Sequence, residues 1–218
     1  MKFSTTEENY IKEIYHLQRA NQKVSSTLLA AAVNTKAASV TDMLKKLHVK
    51  KLVHYRPYQN FTLTEKGNKV ALTIVRKHRL WEYFLVSKLG FNWEEVHDIA
   101  EQLEHINSNE LVARLDNFLG HPSFDPHGDP IPDKDGKIKV RKQKNLIEAP
   151  DNKAITVCLI KDQSTDMLDL LKHYHIAIGT KLKITNRFSF DNSIEIKIAK
   201  YPVAVLSEQV AKNIYCII

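Results

Sequence analysis

Apolar positions recur at helical spacing through the first half of this chain and alternate in short runs through its last third. Ser4-Thr-Thr-Glu7, overlapping Thr5-Thr-Glu-Glu8, is a capping-box signal, in which a hydroxyl and a carboxylate satisfy each other's free backbone amides. It opens a helix expected to bury Tyr10, Ile11, Ile14 and Leu17. After a polar break at Asn21 to Lys23, a short helix from about Ser26 to Val33 and a turn at Asn34-Thr35 lead to a helix over Lys36 to Val49. That helix gathers Ala37, Val40, Met43, Leu44 and Leu47 on one side, and Ala38, Ser39, Thr41, Asp42, Lys45 and Lys46 on the other. The pair reads as a helix-turn-helix. Two short strands, Leu52 to Arg56 and Phe61 to Thr64, joined by Pro57 to Asn60, add a hairpin wing.

Thr64-Glu65-Lys66-Gly67 opens a long helix to about Leu89, with Gly90 as its C-cap. Its apolar residues, Val70, Leu72, Ile74, Val75, Leu80, Trp81, Phe84 and Leu85, exceed one stripe. Burial on two sides is expected, one of them against a second copy of the chain. Asn92-Trp-Glu-Glu95 caps the next helix, and a third runs from about Ser108 to Leu119 before Gly120. Five of the seven prolines then fall between Pro122 and Pro150, with a basic run from Lys137 to Lys144, which reads as a linker. Short strands follow at Ile155 to Ile160, Lys181 to Thr185, Ile194 to Ala199, Val203 to Leu206 and Tyr215 to Ile218, interrupted by a helix over Ser164 to His173. Their length and tight turns have the texture of a small SH3-like barrel. The expected class is α+β: a winged helix-turn-helix over residues 1–64, a helical domain over 65–120, a Pro-rich linker over 121–150 and an SH3-like barrel over 151–218.

Charge changes this picture by locating a partner. Residues 1–75 hold 12 basic and 5 acidic side chains, whereas residues 76–218 hold 20 of each, so the whole net charge of +7 lies in the first third. Positive charge confined to one module fits a polyanion, with Lys36, Lys45, Lys46 and Arg56 on phosphates and Ala38, Ser39, Thr41 and Asp42 at base edges. No apolar run approaches a membrane span, and the polar N-terminus is unlike a signal peptide, which makes the cytoplasm the default location. Cys158 and Cys216 sit in apolar, strand-like runs and read as buried, reduced thiols.

The candidate chemistry is concentrated between Arg76 and His105. His78 and Glu82 are one helical turn apart, and His97, Glu101, Glu104 and His105 share an arc of roughly 100° at about 100° per residue, opposite Val96, Ile99, Ala100, Leu103 and Ile106. Such a face can simply be solvated. From Asn92 to Ala113, however, there are six acids and no Lys or Arg, whereas a solvated face usually mixes signs. A divalent metal would supply the cation, since carboxylates and neutral imidazoles are its usual ligands.

The order of parts resembles the diphtheria toxin repressor and manganese transport regulator family of metal-dependent transcriptional repressors. The resemblance rests on Thr6-Glu-Glu-Asn-Tyr-Ile-Lys-Glu-Ile-Tyr15, Leu63-Thr-Glu-Lys-Gly67, Arg76-Lys-His-Arg-Leu80 with Glu82, Val96-His-Asp98, Glu104-His105 and the stretch from His121 to Pro132. It implies the long form of the family, with a helical dimerisation domain and two metal sites. Carried over by position, the primary site is Asn9, Glu101, Glu104 and His105, and the ancillary site is His78, Glu82 and His97 with Gln163 and Asp166. Long members have Glu then Gln at those last two places, in the reverse order to this chain. Iron-sensing members carry a thioether at the Asn9 position and a thiol at the Glu101 position. Manganese-sensing members carry an acid at both, and another where this chain has Lys12. Asn9 departs from both patterns, and Glu8 is its alternative.

An all-oxygen and nitrogen donor set suits Mn²⁺, or alternatively Fe²⁺, with other divalent transition metals able to substitute in vitro. The expected function is a homodimeric, metal-activated repressor of metal-uptake genes that binds a double-stranded DNA operator, with no membrane partner. A winged-helix regulator answering to a small molecule or a protein is the alternative. A metal-dependent hydrolase is the weaker one, because the chain has no His-Glu-x-x-His, no Gly-x-Ser-x-Gly and no Gly-rich phosphate loop; no enzyme activity is expected.

Overall fold

The computed structural model describes residues 3–20, 23–57 and 59–218. The break at Asn21 to Lys23 and the wing tip at Pro57 to Asn60 thus fall partly outside the described residues. The chain forms two compact units.

The first unit takes in Met1–His78, Glu101–Val112 and Pro132–Ile138. Its first helix, α1 (Thr5–Arg19), starts with a complete capping box: the Ser4 hydroxyl accepts from Glu7 N, and the Glu7 carboxylate accepts from Ser4 N. Helix α2 (Ser26–Ala32) is capped by Ser25, and α3 (Ala37–Val49) begins one residue later than the pattern predicts, with Lys36 extended at its N-cap. The wing pairs β1 (Val53–His54) with β2 (Thr62–Leu63), Val53 opposite Leu63. Ile11, Ile14, Leu29, Val40, Leu44, Leu47, Leu52 and Phe61 form a closed core, joined by Ala71 and Val75 from the start of α4 (Glu65–Leu89). Gly67 is required there, since a Cβ on it would lie 2.1 Å from the Leu52 carbonyl oxygen.

The second unit takes in Arg79–Ala100, Ala113–Ile131 and Lys139–Ile218. It holds the end of α4, the start of α5 (Val96–Leu103), most of α6 (Asn109–Phe118) and a six-stranded sheet. The strands are β3 (Lys144–Asn145), β4 (Ile155–Ile160), β5 (Lys181–Phe188), β6 (Ser193–Ile198), β7 (Ala204–Leu206) and β8 (Ile214–Ile217), in the antiparallel order β3-β8-β4-β5-β6-β7. Helix α7 (Thr165–His173) and the short α8 (Glu208–Ala211) complete it. Cys158 and Cys216 are free, buried thiols, and burial, followed by the neighbouring Cys158, pushes the Cys216 thiol up to about 11.

The stretch 121–150 departs from the expected linker. Lys144–Asn145 pairs with β8, and the segment before it folds onto β4: Gly128 has φ +91°, a Cβ there would lie 2.0 Å from the Cys158 carbonyl oxygen, and Ile160 N donates to the His127 carbonyl. Proline spacing alone reads as extended chain. Here, glycine permits a backbone approach that no other residue allows.

Candidate metal centre

Helix α1 buries Glu8 and Lys12 side by side, since residues four apart share a helical face. Against them stand His78 of α4, Glu101 of α5, and Glu104 and His105, which lie in the turn just after α5 rather than on the helix. The Glu104 end of the Glu/His face is closed: Glu104 is 0% exposed. The Lys12 ammonium donates to Glu104 Oε1 and Oε2 at 2.8 and 3.0 Å, and also to Glu101 Oε1. His78 Nδ1 lies 2.7 Å from Glu104 Oε2, and His105 Nδ1 lies 2.6 Å from Glu8 Oε2.

Burial alone would push the Glu104 carboxyl up; the His78 hydrogen bond and the Lys12 charge outweigh it, and the net shift is downward. Burial likewise works against the Lys12 ammonium, but Glu104 and Glu101 together hold its pKa above the usual value. Lys77, also buried, is pulled down by burial, only partly offset by Glu8 and Glu104. One ligand atom each from Glu101, Glu104 and His105 lies within 4.8 Å of the others. Asn9 Oδ1 is buried with no hydrogen-bond partner. This all-oxygen and nitrogen donor set fits a hard or borderline divalent cation.

The second unit brings together a different set. Glu82, Asp125 and His127 are all buried, with ligand atoms within 4.8 Å of one another. His127 stacks on Trp93, and its Nε2 lies 2.9 Å from the Trp93 carbonyl oxygen. A carbonyl only accepts, so Nε2 carries a proton, and Nδ1 is the nitrogen that offers a lone pair in the neutral ring. That Nδ1 is buried without a partner and lies 3.9 Å from Glu82 Oε1. Burial, together with the negative charge of Glu82 and Asp129, pushes the Asp125 carboxyl well above the usual range, with Arg79 offsetting it only in part. Two buried acids beside a bare imidazole nitrogen call for positive charge. A backbone carbonyl orienting the imidazole is the usual support of a metal-ligating histidine.

His78 meets Glu104, while His97 is 58% exposed with Nδ1 3.6 Å from Glu82. Gln163 Nε2 donates to Asp129 Oδ2 at 2.6 Å, and Asp166 is exposed in the first turn of α7. Asp125 and His127 are not singled out by helical spacing. Their signal was the Asp-x-His-Gly pattern within the proline-rich stretch.

On the opposite function, α3 exposes Ala38, Ser39, Asp42, Lys45 and Lys46, and half-exposes Thr41. Lys36 and Arg56 are exposed as well. A groove beside this face is lined by Ser25, Ser26, Thr41, Lys45, Tyr55 and Gln59. Among the described residues no helix is long and apolar enough to cross a membrane.

Three family models match in order along the chain: iron dependent repressor, N-terminal DNA binding domain, over residues 2–61; iron dependent repressor, metal binding and dimerisation domain, over 64–133; and FeoA domain, over 144–217. A solved manganese-dependent transcriptional repressor in complex with manganese is 36% identical, with a TM-score of 0.84 over 97% of this chain and 99% of that one. The chain belongs to the iron-dependent repressor family. Other members similar to this repressor include the iron-dependent repressor IdeR of Mycobacterium tuberculosis, 33% identical over 127 residues, which are 58% of this chain and 55% of that protein. An uncharacterised HTH-type transcriptional regulator of Methanocaldococcus jannaschii is 40% identical over 113 residues, 51% of this chain and 90% of that one.

Proposed function

We propose that this repressor is a homodimer that binds a double-stranded DNA operator of metal-uptake genes when Mn²⁺ is bound, with Fe²⁺ as the alternative activating ion. The observation that carries the reading is the joint between α1 and the end of α5. Glu8 meets His105, and Lys12 meets Glu101 and Glu104, so the first helix of the DNA-binding module is tied to the metal-capable turn. Glu101, Glu104 and His105 would hold the first ion, with the Asn9 or Glu8 oxygen beside them. Glu82, Asp125 and His127 would hold a second. A bound divalent ion supplies concentrated positive charge that draws several carboxylate oxygens and imidazole nitrogens to one point.

The protein's own residues supply the rest. The side chains of α1 fix the orientation of α3 through the shared core of Ile11, Ile14, Leu29, Val40 and Leu44. Lys36, Lys45, Lys46 and Arg56 then neutralise phosphates, and Ala38, Ser39, Thr41 and Asp42 meet base edges. In a symmetric dimer, two such helices about 34 Å apart enter successive major grooves. The dimer contact is assigned to the aromatic surface of the second unit, where Phe84 lies against Trp81 and Phe118, with Phe118 65% and Leu89 56% exposed. Ligands common to Mn²⁺ and Fe²⁺ make up both centres, and the absence of any thiolate among them favours Mn²⁺. To convert a mostly free repressor into a mostly bound one, metal binding must favour the DNA-competent state by about 10⁴-fold.

The test is a titration of operator binding against several divalent ions at matched free concentrations. Operator binding that Mn²⁺ switches on and Mg²⁺ at the same free concentration does not supports the reading; DNA binding indifferent to every ion rejects it.

A further inference from the structure

Lys12 is the residue that the metal reading leaves over. It is 4% exposed, far below the usual exposure of a lysine, and its ammonium contacts two of the three donors of the first centre. Both oxygens of Glu104 and Oε1 of Glu101 accept from it. An ammonium is a point charge with three donors, and here those donors are directed at the carboxylate oxygens that a divalent ion would need. Lys77 adds a second buried ammonium near Glu8 and Glu104. Three carboxylates, Glu8, Glu101 and Glu104, therefore already face two built-in positive charges. A divalent ion on Glu101 and Glu104 would meet the Lys12 charge at close range in a water-poor site, where repulsion is little screened.

We propose that Lys12 is a built-in competitor for the activating metal: without metal its ammonium holds Glu101 and Glu104 and ties α1 to the end of α5, and a divalent ion gains those carboxylates only as the ammonium leaves them. The metal concentration that activates the repressor is then set by an exchange of cations, not by the ligand set alone. This rests on the metal-activated reading of Glu101, Glu104 and His105.

The experiment compares full-length protein with and without Lys12→Gln, both carrying His127→Ala to silence the second centre. Mn²⁺ binding is followed by calorimetry, and thermal unfolding is followed in chelator. Lys12→Gln is expected to bind Mn²⁺ about tenfold more tightly, or about 1.4 kcal/mol, and to unfold at lower temperature without metal. Equal or weaker binding overturns the exchange. A second measurement needs no substitution: amine acylation mapped by mass spectrometry should find Lys12 protected in chelator and labelled faster with Mn²⁺, and equal labelling in both overturns the proposal. If the protein retaining Lys12 binds no Mn²⁺ that Glu104→Ala removes, the metal reading itself has failed, an outcome distinct from tight binding that ignores Lys12.

Discussion

Removing the Glu104 carboxylate tests whether the first centre is already assembled before any metal arrives. Glu104 is fully buried between the Lys12 ammonium at 2.8 Å and His78 Nδ1 at 2.7 Å. Glu104→Ala leaves that ammonium buried, with only Glu101 to answer it. Breaking a buried ion pair by deleting one partner costs about 3–5 kcal/mol, and because Glu101 keeps one contact, the low end, about 3 kcal/mol, is expected. For a chain of this length that is a fall in Tm of roughly 6–12 °C. The assay is thermal unfolding in chelator, followed by far-ultraviolet circular dichroism. The double variant Lys12→Met, Glu104→Leu should recover most of the loss, since well-packed apolar replacements of buried pairs are often neutral. A change below about 0.5 kcal/mol for Glu104→Ala, the size seen at exposed pairs, would refute the closed arrangement of Lys12, His78 and Glu104.

Three further outcomes follow from other parts of the molecule. Gly128→Ala must place a Cβ 2.0 Å from the Cys158 carbonyl oxygen at a φ of +91°, so it should cost about 1–2 kcal/mol for the backbone conformation alone, more for the clash, and should weaken Mn²⁺ binding at Glu82, Asp125 and His127; an unchanged melting curve would show that the segment does not lie on β4. Phe118→Glu, which places a charge beside Phe84, should convert a sedimenting dimer into a monomer at micromolar concentration, and a persisting dimer would move the interface elsewhere. Operator affinity should fall steeply with salt, and each of Lys36→Ala, Lys45→Ala, Lys46→Ala and Arg56→Ala should reduce the slope of log affinity against log salt by about 1; a flat salt dependence contradicts the phosphate role.

Local signals were legible where local chemistry decides structure. The Ser4 and Glu7 capping box is present as the sequence pattern predicts, and the apolar run Ile155–Ile160 forms β4 with the same limits. Both depend on neighbours a few positions away. Lys144–Asn145 escaped notice because two polar residues carry no strand periodicity, and only β8, far along the chain, gives them partners. The same holds for chemistry. The run from Asn92 to Ala113 shows acids lacking a cation, but nothing in helical spacing says that Lys12, 92 positions before Glu104, supplies it. His127 could not be paired with Glu82 either, because the approach of its loop depends on Gly128 meeting β4. Helical spacing singles out Glu104 and His105, whereas the burial of Glu104 and the position of both in a turn are products of tertiary contact.

The reading proposed above makes the turn of Glu104 and His105 the metal switch for DNA binding. Its most direct test is operator binding titrated against free Mn²⁺ for the wild type and for Glu104→Ala, His105→Ala and His97→Ala. Glu104→Ala and His105→Ala are expected to abolish metal-dependent operator binding while leaving the weak, salt-sensitive nonspecific binding intact, and His97→Ala, at an exposed position beside Glu82, is expected only to raise the Mn²⁺ concentration required. A Glu104→Ala protein that still responds at the wild-type Mn²⁺ concentration would contradict it.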